Sequence, residues 1–208
     1  MNIKTYSSNI NGNIFSAKVK EPLYPQVQIL FKVLEKIPSE KIKNGYSIEI
    51  GFSVFSLVER EKGYCIVVPD YMKNPFSDKT EDLTIALWVQ LEQTDLLRLC
   101  NLEGESVRFD DKLVVAKNVL QEKYISLQRY SDLGKDASGW CVESVVYGED
   151  KKFQGVPTND YETIFAYHLL KFRPALLKAL ALPYEYIAVF DGETINAILN
   201  GQNENIME

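Results

Sequence analysis

The chain has 208 residues, 46% hydrophobic and 25% charged, proportions that give a globular protein with enough core for one large domain or two small ones. Its net charge is −6, so it lacks the clustered cations with which a nucleic-acid binder neutralises phosphates. No run approaches the ~18 apolar residues of a membrane helix, and the opening residues Met1 to Asn9 hold no apolar stretch that would point to secretion.

Residues 1–22 are polar and aperiodic and predict a loosely held arm or an edge strand. Pro25 stands where proline suits a first helical turn, and Val27, Leu30, Phe31, Leu34 and Ile37 recur at three- and four-residue steps, predicting a helix from Tyr24 to Ile37 that Pro38 ends. From Tyr46 the period becomes two: Ile48, Ile50, Phe52 and Val54 predict one strand, and Tyr64, Ile66 and Val68 a second, joined as a hairpin over Glu59 to Gly63. Lys73 to Glu81 reads as a loop around Asn74-Pro75. Leu83, Ile85, Leu87, Val89 and Leu91 alternate as a third strand, after which Thr94 or Asp95 caps a short helix reaching Cys100. Val107, Phe109, Leu113 and Val115 suggest strands linked by Asp110-Asp111.

Further along, Tyr124 to Tyr130 and Trp140 to Tyr147 predict strands either side of the polar loop 131–138, and 148–159 reads as a long loop. Two short helices, Ile164 to Lys171 and Pro174 to Leu180, are separated at Arg173-Pro174, because a residue before proline avoids the helical region. Tyr186 to Phe190 and Thr194 to Leu199 form a hairpin over Asp191-Gly192, and the polar end 200–208 reads as frayed. The fold class is therefore α+β, with antiparallel sheets and a few short helices. Gly63-Tyr-Cys-Ile-Val is echoed by Gly139-Trp-Cys-Val, Asp95-Leu-Leu-Arg-Leu by Ala175-Leu-Leu-Lys-Ala, and Phe109-Asp-Asp by Phe190-Asp-Gly, at offsets of 76 to 81 in conserved order. That pattern suggests two related halves joined near residue 114: an N-terminal α+β region, 1–114, and a second α+β domain, 115–208.

Little in the chain spells out a reaction. Cys65, Cys100 and Cys141 form no Cys-x-x-Cys pair and read as buried free thiols of a reducing cytoplasm. The single histidine, His168, sits between apolar neighbours without metal ligands at suitable spacing, and a Cys141–His168 nucleophile pair is the less favoured reading. No nucleophile elbow, phosphate-cradling loop or dinucleotide fingerprint occurs. The carboxylate pairs Glu81/Asp82, Asp110/Asp111, Glu149/Asp150 and Asp191/Glu193 fall in turns, where acids bond to the local backbone. Neither a cofactor nor a metal is expected. Charge is uneven: residues 1–69 carry nine Lys/Arg and six Asp/Glu, 70–111 four and ten, and 112–208 ten and thirteen. The acidic middle could steer a basic partner or simply solvate the surface.

The stretch from Ala116 to Leu199 carries an ordered set of short motifs: Ala116-Lys-Asn-Val, Ala137-Ser-Gly-Trp, Asp160-Tyr-Glu-Thr-Ile, Pro174-Ala-Leu-Leu and Phe190-Asp-Gly-Glu. Together they resemble bacterial immunity family thirty-three, formerly a domain of unknown function, over about 85 residues. The chain departs from that pattern at Lys123-Tyr-Ile-Ser-Leu-Gln-Arg, and its acids after Trp140 are reduced to Glu143, Glu149 and Asp150. The resemblance implies a non-catalytic cytoplasmic antitoxin that binds a cognate protein toxin, a basic one by charge complementarity, and occludes it. It implies no nucleic-acid or membrane partner, and leaves the oligomeric state open. The acidic segment supplies the candidate contact residues Asp78, Glu81, Asp82, Asp110 and Asp111, with Tyr71 and Phe76 as apolar anchors. An interaction or scaffold module without a toxin partner, and an enzyme using paired carboxylates, are the alternatives.

Overall fold

Asn11 and Gly12 both adopt positive φ, 52° and 85°, as a two-residue hairpin turn of the primed type requires. They fold the opening of the chain into two eight-residue strands, β1 (Ile3–Ile10) and β2 (Asn13–Lys20), paired antiparallel without interruption. The polar start is thus an ordered hairpin with β1 at the sheet edge, and the Asn-Gly pair is the signal for it. The computed structural model describes residues 2–133, 138–147, 153–156, 158 and 160–207. Ala137, Glu149 and Asp150, and parts of the loops expected at 131–138 and 148–159, lie outside the described residues.

The chain divides into two compact units, Met1–Leu91 and Glu92–Glu208. In the first unit, α1 (Tyr24–Glu35) has Pro25 in its first turn and buries Val27, Leu30, Phe31 and Leu34. The period-two run from Ile48 is not one strand. Gly51, at φ 56°, and Phe52 reverse it, giving β3 (Ser47–Ile50) and β4 (Ser53–Arg60). β5 (Gly63–Pro69) pairs antiparallel with β4 and, on its other side, parallel with β2, where Ser16 lies opposite Cys65. A short β6 (Lys79–Thr80) adds to β5. The sheet order is β1-β2-β5-β4-β3.

Residues 84–99 correct a predicted strand. The strand expected over Leu83 to Leu91 is helical from Thr84 and continues into the helix expected from Thr94 or Asp95 to Cys100, giving a single helix, α2 (Thr84–Leu99), that runs through the boundary between the units. Leu83, Ala86, Leu87, Val89, Gln93 and Leu96 are buried, while Ile85, Trp88 and Leu91 are half-buried on another side. A helix that is apolar around most of its circumference shows alternation as readily as helical spacing, which is why the period misleads here. Asn101, at φ 52°, ends it in the left-handed region, with the Leu102 N–H donating to the Leu97 carbonyl at 2.9 Å.

The second unit repeats the plan. β7 (Lys112–Ala116) lies parallel to β9 (Trp140–Tyr147), with Val114 opposite Cys141, and β9 forms a hairpin with β8 (Tyr124–Arg129). β10 (Phe153–Gly155) adds to β9 as β6 adds to β5. β11 (Tyr161–Phe165) flanks β7, and the hairpin of β12 (Ile187–Asp191) and β13 (Thr194–Leu199) flanks β8, in the order β11-β7-β9-β8-β12-β13. Helical turns at Ala166–His168, α3 (Leu169–Phe172) and Pro174–Ala181 follow β11. Trp140, Leu113, Ile125, Leu127 and Phe190 are wholly buried at its core.

Both units therefore contain a strand, a helical connection, and a hairpin whose second strand returns to lie parallel to the first. Gly63 and Gly139 both open that returning strand at positive φ, 131° and 86°. At each, an added Cβ would meet a backbone carbonyl, Ile14's at 2.1 Å and Tyr130's at 2.4 Å. The second echo, 95–99 with 175–179, falls in helical segments that both belong to the second unit, so it does not relate one unit to the other. The third does not correspond: Phe109 precedes β7, whereas Phe190 is inside β12.

Candidate functional site

The predicted contact residues divide between the units, five in the first and two in the second. In the first unit the Asp70 N–H donates to the Asp78 carbonyl at 2.8 Å, closing residues 70–78 into a loop. Three side chains brace it from within. Asp70 Oδ1 accepts from the Met72 N–H, Asn74 Oδ1 from the Phe76 N–H, and Asp78 Oδ2 from the Asn74 N–H, at 3.1 to 3.2 Å. Short polar side chains bonding the backbone two to four residues away fix the loop without a core of its own.

That loop lifts Phe76, 55% exposed, and Met72, 78% exposed, into solvent. Tyr71 points the other way. It is buried, its hydroxyl lies 2.6 Å from Ser53 Oγ, and its ring packs 5.6 Å from that of Phe52. It supports the loop from beneath and leaves outward contact to its neighbours. Met72 is an exposed apolar residue that the sequence does not single out, because an isolated methionine in a polar loop carries no period.

The acids are held in different ways. Glu81 binds Lys18 of β2 and also Arg60 of β4, the latter at 2.9 Å. Hydrogen bonds from those two cations hold its carboxyl down at about 2, and its charge is largely answered within the unit. Asp82 accepts the Thr84 N–H at 3.0 Å, fixing the entry to α2. Lys79 Nζ reaches Ser56 Oγ at 3.1 Å.

In the second unit, Asp110 takes a forked pair of bonds from Arg108, 2.9 and 3.0 Å. Asp111 accepts the Arg108 N–H at 2.8 Å, closing a turn before β7 whose Asp111 and Phe109 carbonyls accept from the Ala166 and Tyr167 N–H groups. The second unit also holds an open groove of about 300 Å³ lined by Val115, Val119, Leu120, Glu162, Ile164 and Phe172. Phe172 is 57% exposed at the end of α3, beside Arg173-Pro174. The first unit also holds a groove, of about 470 Å³, lined by Lys20, Pro22, Leu23, Ile85, Trp88 and Leu91.

Asp191 and Glu193 face Lys123 and Arg173 at 3.1 and 3.0 Å, leaving each carboxylate ion-paired. Burial pushes the Cys141 thiol up to about 11, which opposes thiolate formation, while burial and Lys171 draw His168 below its usual range. His168 packs on Phe165 and Tyr167. Among the described residues no group of three or more His, Cys, Asp or Glu could hold a metal ion, and no helix is long and apolar enough to cross a membrane.

The family model of the Imm33-like domain matches residues 92–201. The matched segment begins where the second compact unit begins and includes its whole sheet, β7 to β13. No curated protein and no solved structure matches the chain.

Proposed function

The chain belongs to the Imm33-like family, and from that premise we propose that it is an immunity protein, which binds and neutralises a cognate protein toxin in the cytoplasm of the cell that makes it. The observation that carries the reading is the family match over more than half of the chain. Neutralisation proceeds by binding and needs no chemistry from the antitoxin. A preformed surface covers the toxin's active site, and its rigidity limits the ordering cost of association.

The braced loop 70–78 supplies such a surface. Phe76 and Met72 are the apolar anchors, and Asp78 and Asp82 supply negative charge suited to a basic toxin; Asp110 and Asp111 belong to the second unit, where Arg108 already answers Asp110. Glu81 contributes through the fold more than through direct contact, since Lys18 and Arg60 already hold it.

The test is co-expression with the C-terminal domain of the protein encoded beside it, scoring growth and co-purification. Rescue with a stable complex is expected. Met72→Ala/Phe76→Ala should weaken that complex by at least about tenfold while leaving the thermal melt of the free chain in place. Absence of both rescue and complex would move the protein to the scaffold reading. A complex indifferent to Met72→Ala/Phe76→Ala would instead move the binding surface elsewhere, with the Phe172 groove next in order.

A further inference from the structure

β1 is a sheet edge without the usual protection. Natural edges are shortened, bulged, charged, interrupted by proline or covered by another segment. β13 is covered: the Ile206 N–H donates to the Ile198 carbonyl at 2.8 Å, and Asn205 Oδ1 accepts the Ile198 N–H at 3.2 Å. β3 is only four residues long. β1, in contrast, runs eight residues in unbroken register as Ile-Lys-Thr-Tyr-Ser-Ser-Asn-Ile, and its one charge, Lys4, is tied to Glu21 at 2.6 Å.

The hairpin geometry says which groups are free. Ile10 and Asn13 flank a two-residue turn and so form a hydrogen-bonded pair. Counting back by twos, Ser8, Tyr6 and Lys4 bond to β2. Ile3, Thr5, Ser7 and Asn9 then turn their N–H and C=O groups outward. All four are exposed, and no backbone bond from them to another described residue is present.

We propose that this edge pairs antiparallel with β1 of a second copy of the chain, joining two sheets across a two-fold axis at Tyr6. Among two-fold pairings, the one that sets Ile3 against Asn9 and Thr5 against Ser7 employs all eight outward groups; a shift either way strands some of them. In that register Lys4 meets Ser8, so no like charges oppose each other. Tyr6 meets Tyr6 of the other copy at a non-hydrogen-bonded position, where side chains approach most closely. Tyr6 already stacks on Tyr24 at 4.4 Å, and Tyr24 is 38% exposed, so the axis gathers a row of four rings. The outward sequence is complementary to itself, which selects a second copy over a foreign strand.

Sedimentation equilibrium of the full chain, without toxin and over a wide concentration series, tests the pairing independently of the immunity reading. The expected limit is twice the 23.8 kDa protomer mass. Ser7→Pro deletes one outward donor without touching the β2 ladder and should weaken dimerisation by more than about tenfold. Thr5→Lys/Ser7→Lys leaves the hairpin intact, checked by circular dichroism, but sets lysines against each other, and should leave a monomer. A chain monomeric throughout the series overturns the proposal. So does a dimer that survives both variants, or a monomer whose toxin binding alone is lost with Ser7→Pro, since the edge would then serve a different strand.

Discussion

Arg129 and Arg173 are buried in the second unit, and both spend their guanidinium groups on backbone carbonyls. Arg129 Nη1 donates to Glu105 and Leu182 at 3.0 and 2.8 Å, its Nε to Ser138 at 3.3 Å, and its plane lies against Tyr184, 4.4 Å from the ring centre. Burial pulls it below the ordinary arginine range, with the Tyr184 and Glu105 charges acting against that pull. Arg173 donates to Leu120, Glu122 and Gly192 at 3.1, 2.6 and 2.6 Å, while its Nε sits 3.0 Å from Glu193 without hydrogen-bond alignment. Each arginine fastens irregular segments that have no ladder of their own, and a planar fork reaches several carbonyls where an ammonium reaches fewer. Arg173→Met should therefore cost about 3 kcal/mol in urea unfolding, because the stranded carbonyls lose a charged donor, and Arg173→Lys should recover only part of it. A loss no larger than that of an exposed site would show that water replaces the guanidinium freely. In the sequence Arg173 reads only as the residue before a proline, and Arg129 only as part of a departure from the family pattern; their carbonyl partners are distant in the chain, so spacing cannot reveal them.

At the scale of elements, Glu81 clamps the segment after β6 to β2 and β4 through Lys18 and Arg60. Its carboxyl titrates at about 2 when folded, below its ordinary 4.5. A depressed acid contributes stability above the unfolded value and loses it as pH falls through the folded one, so the window runs from about 4.5 down to about 2. Both partners are largely exposed, and salt screening keeps the effect to no more than about 1 kcal/mol. Stability of the chain minus that of Glu81→Gln should shrink across this window and shrink further in high salt; a constant difference would mean the clamp adds nothing electrostatic. Elements were legible where local chemistry settles them. The hairpins of β4 with β5 and of β12 with β13 have short turns between alternating runs, and α1 has a one-sided apolar stripe with Pro25 at its start. Of α2 only the end after Thr94 was legible, since the second apolar side of its first half supplies a false period of two. Of the candidate site, the exposure of Phe76 agrees with its place in a polar loop, whereas the burial of Tyr71 depends on Ser53 and Phe52, 18 and 19 residues away, which no local pattern encodes.

For the whole molecule, the shared strand–hairpin plan explains why the sequence invites a division near residue 114, but the plan's own requirements place the second unit's start earlier. β7 is a five-residue strand from Lys112, and a fragment 115–208 would keep only Val115 and Ala116 of it. β11 would then lose most of its partner, and the Lys112 carbonyl that accepts from Ser138 would be gone. Upstream, the Glu105 carbonyl accepts from buried Arg129, the Glu105 N–H donates to Ala181, and Gln93 Nε2 donates to the Leu177 carbonyl at 2.9 Å. Val107 and Phe109, both buried, would also be removed. A fragment 92–208 keeps all of these groups and matches the extent of the Imm33-like domain, although it retains only the second half of α2. It should melt cooperatively by circular dichroism, while 115–208 should show no transition, because the lost pairing of β11, the lost burial of Val107 and Phe109 and the missing Glu105 carbonyl at buried Arg129 together consume the ~5–15 kcal/mol margin on which a domain of this size folds. Equal cooperativity in both fragments would return the boundary to residue 114 and make segment 92–111 an appendage to the family domain.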